Sequence, residues 1–463
     1  MGEDFYNAEF GKLCLGNDTD ALKDYYEKYS PQIDIDRLGE NFFLLNTCRG
    51  GNLENMIFIH TILVDKPIHI NKIKAYAQIA CLNGYLDIVE KLYEWYPTIN
   101  IGDVNENCFK TACSYGFINI VYFIKRVNPQ TNIRISNDFP FRAACANGHL
   151  AIATQLLAWD QNINISAVNE EAFRMACNNG YLHIVRQLLE WKSDIDISAY
   201  HDYAISKACL NGHLHIVRYL MKIRPDINIT VNDNYPFRAA CENGHLKLIR
   251  QLSKYCPTID ICSKNNYGFR YACENGHLTI IRQLYKWKPD IDISSMNEYA
   301  FRMACRNGHL DIICQLKMWK PDINIGILNF NAMEKACKHN YMDVALQLYE
   351  WHPDLSELKD DLLFVVCQNN YIEIAKFLYS HRRNWDFNKI KPTILKELGI
   401  NPFKDRLKPY FKTHTPECPI CRTDENIEIR PRLITQCSHI FCEEWIITWL
   451  ERSYTCPYCR TAI

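Results

Sequence analysis

A cysteine returns every 32 residues along most of this 463-residue chain, at positions 81, 113, 145, 177, 209, 241, 273, 305 and 337. Cys14, Cys48 and Cys367 extend the series with slight slippage. A period of about 20–50 residues implies a row of like supersecondary units, each stacked on the next. The register carries more than cysteine. The unit reads NDNYPFRAACENGHLKLIRQLSKYCPTIDI around Cys241 and NEYAFRMACRNGHLDIICQLKMWKPDINI around Cys305.

Each unit contains two short helical patterns. Phe301 and Cys305 are four apart and share a helix face, and the small Ala304 lets a neighbouring helix approach. Asn307-Gly308 ends the first helix, because glycine accepts the left-handed backbone of a helix C-terminus. Leu310, Ile313, Leu316 and Trp319 then step by three along the apolar stripe of a second helix. Pro321 prevents its continuation, and DINI is expected to be a short extended link. Neither helix buries its apolar face alone, so the expected fold is an all-α solenoid of about twelve 32-residue repeats over residues 1–380.

The bulk numbers agree with such an array. The chain is too long for one core, 48% of residues are apolar and the formal charge is −1. That balance argues against a polybasic nucleic-acid binder and against a highly charged disordered chain. With no signal-like start and no apolar run of membrane length, the expectation is an intracellular protein without a membrane partner.

ACENGHLKLIRQL resembles the heart of the ankyrin repeat, A-A-x-x-G-H-L-x-I-V-x-x-L, with Cys at the second Ala. The unit length, the FRxAC opening and the PDIDI tail resemble the ankyrin-repeat proteins of giant amoeba-infecting DNA viruses. The usual T-P-L-H start is missing, and Arg often stands in the place of its His. The resemblance implies a surface that recruits a protein substrate of unknown identity, in the cytoplasm or nucleus of a host cell.

Three rows repeat with the units. The buried-face cysteines read as small, soft core residues, since nothing nearby would activate a thiolate. His149, His213, His245, His277 and His309 alternate with Tyr85, Phe117, Tyr181, Tyr341 and Tyr371, which favours flat-ring packing over metal ligation. Trp95, Trp159, Trp191, Trp287, Trp319 and Trp351 read as core between layers. The arginines leave two readings open. Arg142, Arg174, Arg238, Arg270 and Arg302 on first helices, with Arg186, Arg218, Arg250 and Arg282 on second helices, form either a basic stripe for an acidic partner or a set of bonds to loop carbonyls.

The rhythm fails after residue 380. Residues 381–416 hold nine Lys or Arg against three Asp or Glu, with four prolines, and read as a basic linker with short helices over NKIKPTILKELGI and PFKDRLKPYF. Residues 417–463 then place Cys418-x2-Cys421, Cys437-x-His439-x2-Cys442 and Cys456-x2-Cys459 in series. Paired Cys-x-x-Cys knuckles around a Cys-x-His pair are a strong zinc signal, because sulfurs on tight turns chelate a tetrahedral ion.

The elements CPIC, C-x-H-x-F-C, I-x-x-W-L and CPxCR resemble a RING finger. The resemblance implies two interleaved zinc sites. Cys437, His439, Cys456 and Cys459 would form a complete one, and Cys418, Cys421 and Cys442 an incomplete one. Its fourth ligand is expected at 445, where Trp445 stands, and an indole offers no lone pair. Either another donor completes the site or only the complete one fills, giving one or two ions. The resemblance further implies a ubiquitin ligase that binds a ubiquitin-conjugating enzyme and ubiquitin. Ile420, Trp449 and Pro457 would form the partner groove, and Arg460 would be the linchpin cation. The alternatives are a non-catalytic adaptor or decoy with a degenerate RING, and a scaffold self-associated through that domain.

Overall fold

The computed structural model describes residues 3–33, 42–63, 68–97, 101–325, 327–355, 358–359, 361–382, 385, 408–409, 432–435, 439–442, 446, 448–449 and 456–460, in two compact units, 1–259 and 260–463. In the first unit, helices run in pairs from Glu3–Leu15 with Thr19–Tyr29 to Val231–Glu242 with Leu246–Tyr255. First members pack on first members: Ile135–Ala146 on Ala167–Asn179, that on Ala199–Leu210, and that on Val231–Glu242. The second unit repeats the pattern with Ser263–Glu274, Ser295–Arg306 and Ile327–Lys338.

The residue pattern explains the layers. Phe141, Ala144 and Cys145 of a first helix, and Ala153 and Leu156 of the second, are wholly buried. Gly148 follows at φ +85°, and His149 N–H reaches back to the Ala144 carbonyl at 2.8 Å to close the helix end. The second-helix stripe sits slightly off its expected centre. Ile312, Ile313 and Leu316 are buried, whereas Leu310 and Trp319 are half-buried at its edges. Trp319 instead lies face to face with Tyr285 of the preceding repeat at 4.1 Å, and Trp95 with His60 at 3.7 Å.

The DINI links are tight turns, not extended segments. Asp160 and Asn164 each accept, on a side-chain oxygen, the N–H two residues on, at 2.8 and 3.1 Å. Ile163, Ile195 and Ile227 plug these turns into the core. Each turn then runs into three successive left-handed residues. In the first unit these are Ser136–Asp138, Val168–Glu170, Tyr200–Asp202 and Asn232–Asn234, and in the second Lys264–Asn266 and Met296–Glu298. Left-handed backbone costs about 1–2 kcal/mol per non-glycine residue, so other bonds must hold it.

The arginine row supplies them. Arg174 donates from Nε to the Asn169 carbonyl at 2.6 Å and from Nη2 to the Val168 carbonyl at 3.0 Å. Arg142 and Arg238 clamp their own turns in the same way, as do Arg270 and Arg302 in the second unit. The third turn residue reaches onward: Asp138 Oδ2 accepts from Asn164 N–H at 3.1 Å, and Glu170 Oε1 from Asp196 N–H at 3.4 Å. The loop-carbonyl reading therefore holds for the first-helix arginines, four of which are buried. Second-helix arginines are exposed and contact the next repeat across the surface. Arg218 donates to Gln251 at 3.1 Å, and Arg186 lies over Tyr219. Among the six turns just named, Tyr200–Asp202 lacks the clamp, because Ser206 stands in the arginine slot with its hydroxyl buried and unpartnered. Arg174→Ala is expected to lower stability by about 2–3 kcal/mol, seen as a lower urea midpoint, since two bonds to charge and a tyrosine stack are lost together.

The histidine and cysteine rows take their expected structural roles, whereas the six tryptophans, expected as core, are half-buried. His149, His213 and His245 donate from Nε2 to the carbonyls of Ser114, Asn178 and Leu210, 35 residues back, at 2.9–3.1 Å. Burial pushes the Cys14, Cys48 and Cys337 thiols up to about 12 and also raises Cys145, Cys177, Cys209 and Cys241. At mildly alkaline pH, iodoacetamide is expected to label half-buried Cys256 and to leave Cys177 unmodified until denaturant is added. Peptide mass spectrometry of native protein checks this, and rapid labelling of Cys177 would refute the buried row.

Candidate metal centre

The expected helix over PFKDRLKPYF is corrected by a strand. β1, Lys408–Pro409, pairs antiparallel with β2, Arg432–Ile434, and β2 pairs with β3, Ile440–Cys442. Proline has no N–H to donate, and β1 lies at the edge of the sheet, where that loss is tolerated. Phe441 and Ile446 are fully buried, which roots the hairpin in a small core.

The hairpin aims His439. Thr435, itself buried, closes the β2–β3 connection with two exchanges: its N–H reaches the His439 carbonyl at 2.9 Å, and its hydroxyl oxygen accepts from His439 N–H at 3.1 Å. This places the imidazole against the last knuckle. His439, Cys456 and Cys459 hold their ligand atoms within 4.8 Å of one another, the one such His/Cys/Asp/Glu cluster among the described residues. Nδ1 of His439 lies 3.6 Å from Sγ of Cys456. Zinc bonds of about 2.0–2.1 Å to nitrogen and 2.3 Å to sulfur at a tetrahedral angle give a similar N···S spacing of about 3.6 Å. A borderline-soft cation suits this imidazole and thiolate set.

The knuckle also carries the exposed chemistry. Arg460 N–H bonds the Cys456 carbonyl at 2.9 Å, closing the turn, and Arg460 itself is left-handed at φ +61°. Its guanidinium carbon lies 5.3 Å from the centre of the Trp449 ring. Trp449 and Pro457 are half-buried, whereas Arg460 and Tyr458 are exposed, Tyr458 by 67%. Tyr458 covers the His439 ring at 4.8 Å.

Of the site residues read from the sequence, His439, Cys456 and Cys459 come together as ligands, and Trp449 meets Arg460. Cys442 is the last residue of β3, with its backbone paired to Arg432. Cys418, Ile420, Cys421, Cys437 and Trp445 lie outside the described residues. Thr435 and Tyr458 are additions. Tyr458 was legible as the residue inside the last CPxC knuckle, but Thr435 has no motif of its own, since only hairpin register brings it to His439.

Among the described residues, no helix is long and apolar enough to cross a membrane. Residues between 141 and 327 match ankyrin repeats in four overlapping stretches, 141–233, 173–265, 206–297 and 239–327. Residues 416–460 match the Ring finger domain. The chain is 52% identical over 46 residues to E3 ubiquitin-protein ligase RNFT1 of Danio rerio, covering 10% of each protein. It is 42% identical over 53 residues to E3 ubiquitin-protein ligase AIRP1 of Arabidopsis thaliana, 11% of this chain and 34% of that one. It is 48% identical over 44 residues to E3 ubiquitin-protein ligase RNFT2 of Homo sapiens, 10% of this chain and 9% of that one. The likeness thus spans about a tenth to a third of these relatives' length. The chain carries ankyrin repeats followed by a C-terminal RING finger domain whose last knuckle and histidine form a zinc-type donor set.

Proposed function

We propose that the chain is a RING-type ubiquitin ligase whose ankyrin repeats recruit a protein substrate and whose RING finger binds a ubiquitin-conjugating enzyme. The observation that carries this is the exposed Arg460, directly after the last knuckle cysteine and lying over the Trp449 ring. Relatives matched over 44, 46 and 53 residues are named E3 ubiquitin-protein ligases.

The reaction is aminolysis of a thioester. A substrate lysine amine attacks the carbonyl that joins ubiquitin to the conjugating enzyme's cysteine, an isopeptide bond forms, and the cysteine leaves as thiolate. This chain contributes no covalent step. Trp449, Pro457 and Ile420 would bind the conjugating enzyme, and Arg460 would hold enzyme and ubiquitin in one reactive pose through its N–H donors. Zinc, when bound, cross-links the knuckles and supplies folding energy to a domain with little core. His439, Cys456 and Cys459 would hold one ion together with Cys437. Cys418, Cys421 and Cys442 would hold the other, if a further donor replaces Trp445. In a giant-virus setting the substrates would be host proteins.

Full-length protein, incubated with activating enzyme, ubiquitin and a panel of conjugating enzymes, is expected to build ubiquitin conjugates. Zinc-loaded protein that stimulates none of them would overturn the ligase assignment. Trp445 favours the alternative of a binding adaptor with a degenerate RING. Native mass spectrometry separates the two structurally: Trp445→His is expected to add one zinc if the first site is empty in the parent chain. Unchanged stoichiometry at two ions would mean that another donor already completes it.

A further inference from the structure

We infer that Trp449 is a positioning residue for Arg460, in addition to any contact its ring makes with a conjugating enzyme. The inference rests on the ligase function proposed above and deepens it. It begins from a contrast between arginines. The first-helix arginines lie against aromatic rings but spend their donors on carbonyls of their own turns, as Arg174 does on Asn169 and Val168. Arg460 also lies over an aromatic ring, yet its guanidinium makes no hydrogen bond and no ion pair with any described residue. A cation–π contact uses the charge of the guanidinium and takes up none of its N–H donors on an acceptor. The N–H donors lie in its plane and stay available to a partner's carbonyl or carboxylate.

The backbone does the first part of the aiming. The bond from Arg460 N–H to Cys456 and the left-handed φ of +61° set the direction in which the side chain leaves the knuckle. A free arginine would still have to be immobilised when the partner binds, and a long side chain loses much rotamer freedom in that step. The indole removes part of that loss beforehand. A cation–π contact at an exposed site corresponds to about a two- to fivefold effect on the population of the stacked rotamer.

The two roles of Trp449 separate kinetically. As a groove residue it changes the concentration of charged conjugating enzyme needed for half-saturation. As a positioning residue it changes the discharge rate at saturation, and only while Arg460 is present. The experiment is a double-mutant cycle on the full-length protein, with Trp449→Leu, Trp449→Phe, Arg460→Ala and the double variant Trp449→Leu/Arg460→Ala. Lysine-stimulated discharge of charged conjugating enzyme is measured at saturation, with zinc content verified for each variant. Trp449→Leu is expected to lower the saturating rate about two- to fivefold, and Trp449→Phe, which keeps a ring face, to restore most of it. In the Arg460→Ala background, Trp449→Leu is expected to leave the saturating rate unchanged while still raising the half-saturating concentration.

Equal effects of Trp449→Leu with and without Arg460 would overturn the inference and leave the ligase function standing. A wild-type chain that discharges no conjugating enzyme would overturn both. A readout independent of activity is the side-chain NMR signal of Arg460 in arginine-labelled full-length protein. Its Nε–H proton is expected to be shifted by the indole ring current in the parent and in Trp449→Phe, and to lose that shift in Trp449→Leu. An Arg460 signal insensitive to Trp449→Leu would refute the stacked geometry, and with it the inference, whatever the activity.

Discussion

Arg460→Ala is expected to slow ubiquitin discharge about ten- to a hundredfold while zinc content and affinity for the conjugating enzyme stay near those of the parent. The size follows from removing a preorganised cation whose donors act on the reactive pose, a loss comparable to that of a single well-aimed donor in other transfer reactions. The selectivity follows from position. Arg460 is exposed, and its guanidinium lies over the Trp449 ring without a hydrogen bond to a described residue, so truncation leaves no buried group stranded. Its backbone bond to Cys456 survives the substitution. Discharge within twofold of wild type, measured on zinc-loaded protein, would remove Arg460 from the mechanism and favour the adaptor.

Gly180→Ala is expected to destabilise the array by about 2–4 kcal/mol, read as a lower urea midpoint and as faster hydrogen exchange in the two repeats that meet there. Two penalties coincide. Gly180 sits at φ +87°, where an L side chain is strained, and an added Cβ would stand 2.7 Å from Cε1 and 2.9 Å from Nδ1 of His213. His213 cannot easily yield, because its Nε2 donates to the Asn178 carbonyl at 2.9 Å. A midpoint equal to that of wild type would mean that the ring moves aside at little cost.

This contact explains the alternation of histidine with tyrosine and phenylalanine. Along most of the row the ring covers the glycine of the repeat before: His149 covers Gly116, Tyr181 covers Gly148, and Phe117 covers Gly84, while Asn340 stands in that place before Tyr371. Flatness is what the site selects, and the carbonyl bond is an addition that histidine provides. That much could be argued from residue substitution at fixed register. The left-handed turns could not. Their only local sign is a run of Asn and Asp before each FR pair, and Val168, Tyr200 and Met296 share the same conformation without that chemistry. Val168 is held there by Arg174 and Met296 by Arg302, while Asp138 and Glu170 bond their turns to the next one.

In the zinc domain the division falls elsewhere. The knuckle spacing named His439, Cys456 and Cys459, because a tetrahedral ion demands paired donors on tight turns, and those turns are local. Thr435 fixes His439 only once β2 and β3 are in register, and Lys408–Pro409 leaves its expected helix only because an adjacent strand offers a ladder.

By itself, then, the sequence determined the period, the buried faces of the paired helices and the type and order of the zinc donors. Each depends on residues within a turn or two of one another, where spacing alone sets which side chains share a face. The tertiary structure decided the task of the arginines. In one row they lock strained turns, while Arg460, over the Trp449 ring, makes no side-chain hydrogen bond to a described residue. The side chain is the same in both cases. Only packing determines whether turn carbonyls meet its donors.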